Sequence, residues 1–155
     1  MAKIISYVPT HSLPAAHPDA LPSARSSYPN YELTLTPRII LGLWHPLFLL
    51  PAARHLPTCK RYHIGISFPL ARRLFWTACD GFSIAFPMLM SADGHTFLQD
   101  CKRAGKQVCA WTVNGREEMV WCRRMGVEAI ITDRVAFCVG VRNEVRLASL
   151  DGSLP

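Results

Sequence analysis

Six polar side chains fall at or just past the C-terminal ends of segments that read as buried strands: His45, Ser67, Thr112, Asn114, Thr132 and Asp133. That end of a parallel sheet is where barrel enzymes assemble their sites, because the loops there converge. A histidine can move protons near neutral pH, and a carboxylate can accept hydrogen bonds or ligate a cation. A hard cation takes about six oxygen ligands, carboxylates among them. Asp133 is the one carboxylate at the correct end, so no metal site assembles and no catalytic acid, base or metal ligand is assigned. Asp80 and Glu128 fall near strand starts, on the wrong face. Glu117 and Glu118 belong to the first turn of a helix, where they favour its dipole. Asp100 and Glu144 read as solvated helix charges. The cysteines at 59, 79, 101, 109, 122 and 138 form no CxxC pair and have no histidine at zinc-finger spacing. Cys101, Cys109 and Cys122 fall on apolar positions of helices or strands and read as small core residues of a reducing compartment.

The elements that would position these groups are clearest between Cys101 and Arg134. Cys101-Lys102-Arg103-Ala104-Gly105 closes a helix, with cations in the last turn and a glycine beyond it. Gln107 to Thr112 is short, apolar and suits a buried strand. Asn114 starts the next helix, with Glu117 completing a capping box. Cys122-Arg123-Arg124-Met125-Gly126 repeats the earlier ending, and Glu128 to Thr132 is the last strand. Upstream, Ile39 to Trp44, Arg61 to Ser67 and Gly81 to Phe86 read as strands. Leu47 to His55 reads as a short helix or irregular connection interrupted at Pro51. Pro69 suits the first turn of a helix running to about Trp76. Ser91 or Asp93 caps another, with Phe97, Leu98 and Cys101 on its apolar face. Val135 to Arg146 closes the chain, with Phe137, Cys138 and Val141 facing inward. Continuous apolar strands alternating with helices imply a parallel sheet covered by helices.

The 155 residues suffice for one domain, and half of them are hydrophobic. The formal charge of +6 is spread over helix ends such as Arg72-Arg73, Lys102-Arg103 and Arg123-Arg124. No basic stripe interleaved with aromatics appears, which speaks against nucleic acid as a partner. Ile39 to Ala53 is too short for a membrane span and is interrupted by His45-Pro46. The N-terminus lacks the basic-then-apolar order of a secretory signal. Residues 1–37 carry prolines at 9, 14, 18, 22, 29 and 37 and read as a disordered or loosely draped segment. Residues 38–146 hold the strand–helix units, and 147–155 form a polar tail. An intracellular location, cytoplasmic or at a membrane periphery, fits this composition.

Two motifs in order, Trp111-Thr112-Val113-Asn114 and Gly126-Val127-Glu128-Ala129-Ile130-Ile131-Thr132-Asp133, resemble the last two strand ends of the glycerophosphodiester phosphodiesterase family. Ile39-Ile40-Leu41-Gly42-Leu43-Trp44-His45-Pro46, His63-Ile64-Gly65-Ile66-Ser67 and Asp80-Gly81-Phe82-Ser83 resemble its fungal phosphatidylglycerol phospholipase C branch. The resemblance covers about Arg38 to Arg142. It implies an α/β fold, a partial TIM (β/α)8 barrel of roughly the last four to five strand–helix units. A complete barrel takes about 250 residues. It further implies a hydrolase of lipid metabolism that acts on glycerophosphodiesters or glycerophospholipids with a divalent cation, Mg2+ or Ca2+. The family keeps its cation ligands and paired histidines in His-Arg-Gly, Glu-x-Asp and His-Asp motifs, none of which occurs here. The chain alone is therefore expected to be inactive. Trp111 carries over as a wall of the substrate pocket. His45, Asn114 and Asp133 are further candidates for substrate contact, each with a structural role open beside it: a hydrogen-bonded loop residue, a helix cap and a loop anchor.

Three readings stay open. The chain is the C-terminal half of such a hydrolase, a non-catalytic remnant or interaction module, or an unrelated α/β binding domain. An open half barrel leaves two strand edges unpaired, so self-association is expected. Peripheral membrane contact is a further partner that the resemblance allows.

Overall fold

The computed structural model describes Asn30 and residues 36–150, with side chains through Arg146. The expectations for the Pro/Ser-rich segment and for the end of the polar tail fall largely outside these residues. After a 3-10 turn at Thr36–Arg38 the chain forms β1 (Ile40–Leu43), a second 3-10 turn (Pro46–Phe48) and α1 (Leu49–His55). Next come β2 (Lys60–Gly65), the single helical turn α2 (Phe68–Leu70), a π-helical segment at Ala71–Phe75 and β3 (Gly81–Ala85). Then follow α3 (Phe86–Leu89), α4 (Ala92–Arg103), β4 (Gln107–Trp111), α5 (Arg116–Arg124), β5 (Ala129–Ile130) and α6 (Val135–Leu150). The five strands form one sheet in sequential order, and every pairing is parallel. Each strand is followed by helix, which is the construction of an open arc of a (β/α) barrel, as expected.

Strand alternation sorts the side chains onto two faces. Phe82 and Ile84 of β3 and Val108 and Ala110 of β4 point toward the helices and join Phe97, Leu98, Cys101, Met119 and Cys122 in the core. Aromatic rings fill the middle: Phe82 meets Phe97 edge-on at 5.1 Å, and Trp76 stacks on Phe82 at 5.4 Å. The opposite, concave face carries Tyr62, Ser83, Cys109 and Trp111, placed in one band by the registers Ser83↔Cys109 and Ala85↔Trp111. At its lower edge the Tyr62 hydroxyl donates to Gln107 Oε1 at 2.5 Å.

Local chemistry sets the helix ends. Ser91 Oγ accepts from the Gly94 N–H at 3.0 Å and caps α4. Lys106 N–H returns to the Cys101 carbonyl at 2.8 Å past Gly105, whose φ is 65°, so a left-handed glycine ends α4 as its sequence implied. Gly126, at φ 74°, ends α5 in the same way. None of the six cysteines forms a disulfide, and all but Cys138 are buried. Burial pushes the Cys79 thiol up to about 11 and those of Cys101 and Cys122 up to about 12.

Several expectations need correction. Helix α5 starts at Arg116, not Asn114, and its N-cap is Gly115. The reaching carboxylate is that of Glu118, which accepts from the N–H groups of Asn114 (3.1 Å) and Gly115 (2.9 Å). Pro51 does not interrupt α1. It sits in the first turn, where the missing N–H has no intrahelical partner to lose. Strand β5 shortens to two residues, although ladder bonds to β4 run from the Glu128 N–H to the Ile131 N–H. Phe137 does not face inward: it is partly exposed, and the Arg134 guanidinium covers its ring at 4.2 Å.

Candidate functional site

The C-terminal ends of β1, β4 and β5 bring the chemically interesting residues together. Trp111 is the last residue of β4 and, by alternation, stands on the concave face. Its ring meets the edge of Trp44, just past β1, at 5.7 Å. The Trp111 indole N–H is buried and has no hydrogen-bond partner. An indole N–H held away from water usually finds an acceptor, which sets this donor apart from most buried polar groups. Ser83 Oγ is a second buried polar atom without a partner. Alternation along β3 puts it on the same concave face, one register row deeper. Sequence reasoning passed over both Trp44 and Ser83. The signal for Ser83 was a lone hydroxyl in an otherwise apolar strand, Gly81-Phe82-Ser83-Ile84-Ala85.

Asn114 joins the β4 and β5 ends. Its Oδ1 accepts from the Thr132 hydroxyl at 2.8 Å and from the Asp133 N–H at 3.0 Å, while its Nδ2 donates to Asp133 Oδ2 at 3.0 Å. Thr132 Oγ1 in turn accepts from the Arg134 N–H, and Arg134 Nη1 donates to the Asn114 carbonyl. The amide thus fixes the loop that presents Asp133, which remains exposed. His45 stands apart. Its Nδ1 accepts from the Leu47 N–H at 3.3 Å, capping the 3-10 turn, and its ring lies edge-on to Phe48. Ser67 plays a similar part, accepting from the Leu70 N–H at the start of α2.

Among the described residues no cluster of three or more His, Cys, Asp or Glu could hold a metal ion. Glu118, the carboxylate near Asn114, is engaged as a cap. The donors among the described residues do not fit a hard divalent cation. An open cleft of about 470 Å³ lies at the other end of the strands, lined by Lys60, Arg61, Asp80, Lys106 and Gln107. Most of its polar groups are committed to structure, although Arg61 Nε is buried with no hydrogen-bond partner. Lys106 Nζ donates to the Cys79 carbonyl at 2.7 Å, Lys60 Nζ to Gln107 Oε1 at 3.2 Å, and the Arg61 N–H to Asp80 Oδ2 at 2.9 Å. The concave end with Trp111 is the better candidate. No described helix is long and apolar enough to cross a membrane.

Comparison with known proteins agrees with the fold. A candidate glycerophosphoryl diester phosphodiesterase from Silicibacter pomeroyi superposes with a TM-score of 0.64 at 15% identity, covering 81% of this chain and 43% of that one. A glycerophosphodiester phosphodiesterase from Parabacteroides distasonis gives 0.59 at 20% identity, covering 81% and 52%. An Oleispira antarctica phosphodiesterase in complex with the product sn-glycerol-3-phosphate gives 0.59 at 20%, covering 68% and 42%. At these identities the likeness is one of fold, and the chain spans about half the length of the structures it matches. No curated protein sequence matches it. The model of the glycerophosphoryl diester phosphodiesterase family matches residues 17–137, well over half the chain and reaching into the Pro/Ser-rich segment. Matched by that model over well more than half of its length, this chain of strand–helix units belongs to the glycerophosphoryl diester phosphodiesterase family.

Proposed function

We propose that this chain supplies one wall of the substrate pocket of a phosphoric diester hydrolase acting on glycerophosphodiesters or glycerophospholipids, nearest to the phosphatidylglycerol phospholipase C type. The observation that carries this is the buried, unpartnered Trp111 N–H at the C-terminal end of β4. It would donate to a glycerol hydroxyl or a phosphate oxygen, with Trp44 holding the indole in place. Asn114 orders the Asp133 loop at the mouth. His45, at the rim, is the remaining candidate for contact. Residues 38–146 correspond in this proposal to the C-terminal half of the barrel. Hydrolysis of the diester needs its charge neutralised and a proton given to the leaving oxygen. Among the described residues there is neither a cation site nor a histidine pair for those tasks, so in this proposal the chain binds without turning over.

Two measurements test the proposal. Purified chain incubated with glycerophosphodiesters or phosphatidylglycerol, with Mg2+ or Ca2+ added, should show no hydrolysis; metal-dependent turnover would refute the inactivity. Titration with sn-glycerol-3-phosphate should change tryptophan emission, and Trp111→Phe, which keeps an aromatic ring but loses the N–H, should weaken that response. An unchanged titration in the variant would remove Trp111 from the pocket. Among the described residues the outer edges of β1 and β5 have no strand partner, which favours a second reading, a non-catalytic module that associates through its sheet.

A further inference from the structure

We infer that the rim around this pocket is a docking surface for an anionic lipid bilayer. The inference rests on the proposed function and extends it, because it names the form in which the substrate arrives. Three successive loops at the C-terminal ends of the strands expose large apolar side chains. Trp44, Leu47 and Phe48 follow β1, Ile66 follows β2, and Met90 lies beyond β3; Leu47 is 76% exposed and Ile66 59%. Leu50, in the first turn of α1, adds to them at 65%. Isolated exposed hydrophobics are ordinary, but several gathered around one mouth mark an interaction surface.

Charge selects the occupant. From Thr36 to Cys79 the sequence contains no Asp or Glu, while Arg54 and Arg73 are exposed on the helical segments behind these loops. Arg72 is tied to Asp100. The exposed carboxylates toward the same end, Asp93, Glu117 and Asp133, belong to α4, α5 and the loop after β5. The face presented by β1 and β2 is therefore apolar at its tip, cationic behind and free of acid. Such a face inserts side chains at the headgroup–acyl boundary and draws anionic headgroups to its flank. Trp44 is suited to that boundary, since its ring is apolar and its N–H is polar. A protein completing the sheet would instead cover the outer edge of β1 along its length. The apolar residues come from three loops at one end, which favours the bilayer.

The test is sedimentation of the full chain with vesicles of phosphatidylcholine alone and of phosphatidylcholine containing phosphatidylglycerol. Binding should require the anionic lipid, and tryptophan emission should be quenched by lipids brominated near the headgroup end of the chains, less so in Trp44→Phe. Leu47→Glu combined with Phe48→Glu should lower binding by more than about tenfold, because two inserted side chains are replaced by charges repelled by the surface. Arg54→Gln should lower it by about fivefold, the worth of one cation near such a membrane. Leu74→Gln with Val139→Gln, which removes exposed apolar side chains from helical segments away from the loops without adding charge, should leave it unchanged. Thermal unfolding checks that each variant folds, and Leu47→Ser with Phe48→Ser substitutes for any that does not. Equal binding to neutral vesicles, retained binding in the rim variants, equal loss in the control pair, or a fall in oligomeric mass on changing Leu47 and Phe48 would each overturn the inference; the last would assign the rim to a protein partner. Vesicle binding needs no catalysis and no glycerol phosphate, so its outcome is independent of the Trp111 titration.

Discussion

At the scale of single residues, Asn114 shows what a sequence can and cannot disclose. Its position after a strand marked it for the helix start or the pocket mouth. Its real partners, Thr132 and Asp133, lie one strand away and are set by tertiary contact, which no local pattern encodes. Asn114→Ala removes the acceptor of two hydrogen bonds and the donor of a third. It should cost roughly 1–3 kcal/mol in urea unfolding, and it should loosen the Asp133 loop in amide exchange. His63 was legible only as part of a strand. The structure buries it, stacks it on Phe75 at 3.7 Å and lets its Nδ1–H donate to the Leu43 carbonyl. Its Nε2 has no partner, and a Cβ on Gly65 would come within 2.5 Å of that atom. Burial, the larger influence, pushes the imidazole below its ordinary 6.5, and the Leu43 hydrogen bond opposes this. Above pH 6.5 neither folded nor unfolded His63 carries the proton, so stability is at its full value. Below it the unfolded chain protonates first, and stability falls until the folded imidazole titrates as well. Denaturation midpoints should therefore drop between neutral pH and about pH 5.5, and His63→Phe should flatten that slope. A wild-type midpoint that rises on acidification through this window would contradict the assignment.

At the scale of elements, the strands were the most legible features, because short apolar runs bounded by Gly, Pro and basic helix endings have few other readings. Helix limits were less so. Proline tolerance depends on the turn in which it falls, and Pro51 happens to occupy a first turn. The cap of α5 slid one residue, from Asn114 to Gly115, because Glu117 and Glu118 are equally plausible partners in sequence, and backbone geometry chose between them. For α4 the sequence left Ser91 or Asp93 as the cap, and the backbone geometry chose Ser91. Ser91 accepts from Gly94 N–H and donates to the Met88 carbonyl at 2.7 Å. Ser91→Ala should destabilise the protein by about 1 kcal/mol while leaving the sn-glycerol-3-phosphate response intact. A shift within error in the unfolding midpoint would show that α4 holds its place through core packing alone. The candidate site was legible in type, through Trp111, but not in composition. Trp44 and Ser83 join it only because strands distant in sequence curve around one face.

At the scale of the molecule, the alternation of strand and helix predicted a parallel sheet, and the sequential order β1 to β5 follows from short connections. What alternation does not encode is how the outer edges are covered, since a strand's free N–H and C=O groups are the same whatever lies beside them. The two edges differ in hazard. Strand β5 is two residues long and offers little template, whereas β1 presents four residues, Ile40-Leu41-Gly42-Leu43, with no charge among them. Edges of that kind recruit further strands unless shortened, charged or covered. The isolated chain should therefore associate through β1, its average mass rising in sedimentation velocity between about 1 and 100 µM. Ile40→Lys places a charge on the edge and should shift that rise to higher concentration without abolishing the fold. Leu47→Glu with Phe48→Glu, which alters the rim but no strand backbone, should leave the rise in place. A single monomeric species across the range, or an association indifferent to the lysine, would mean that β1 is not an available edge.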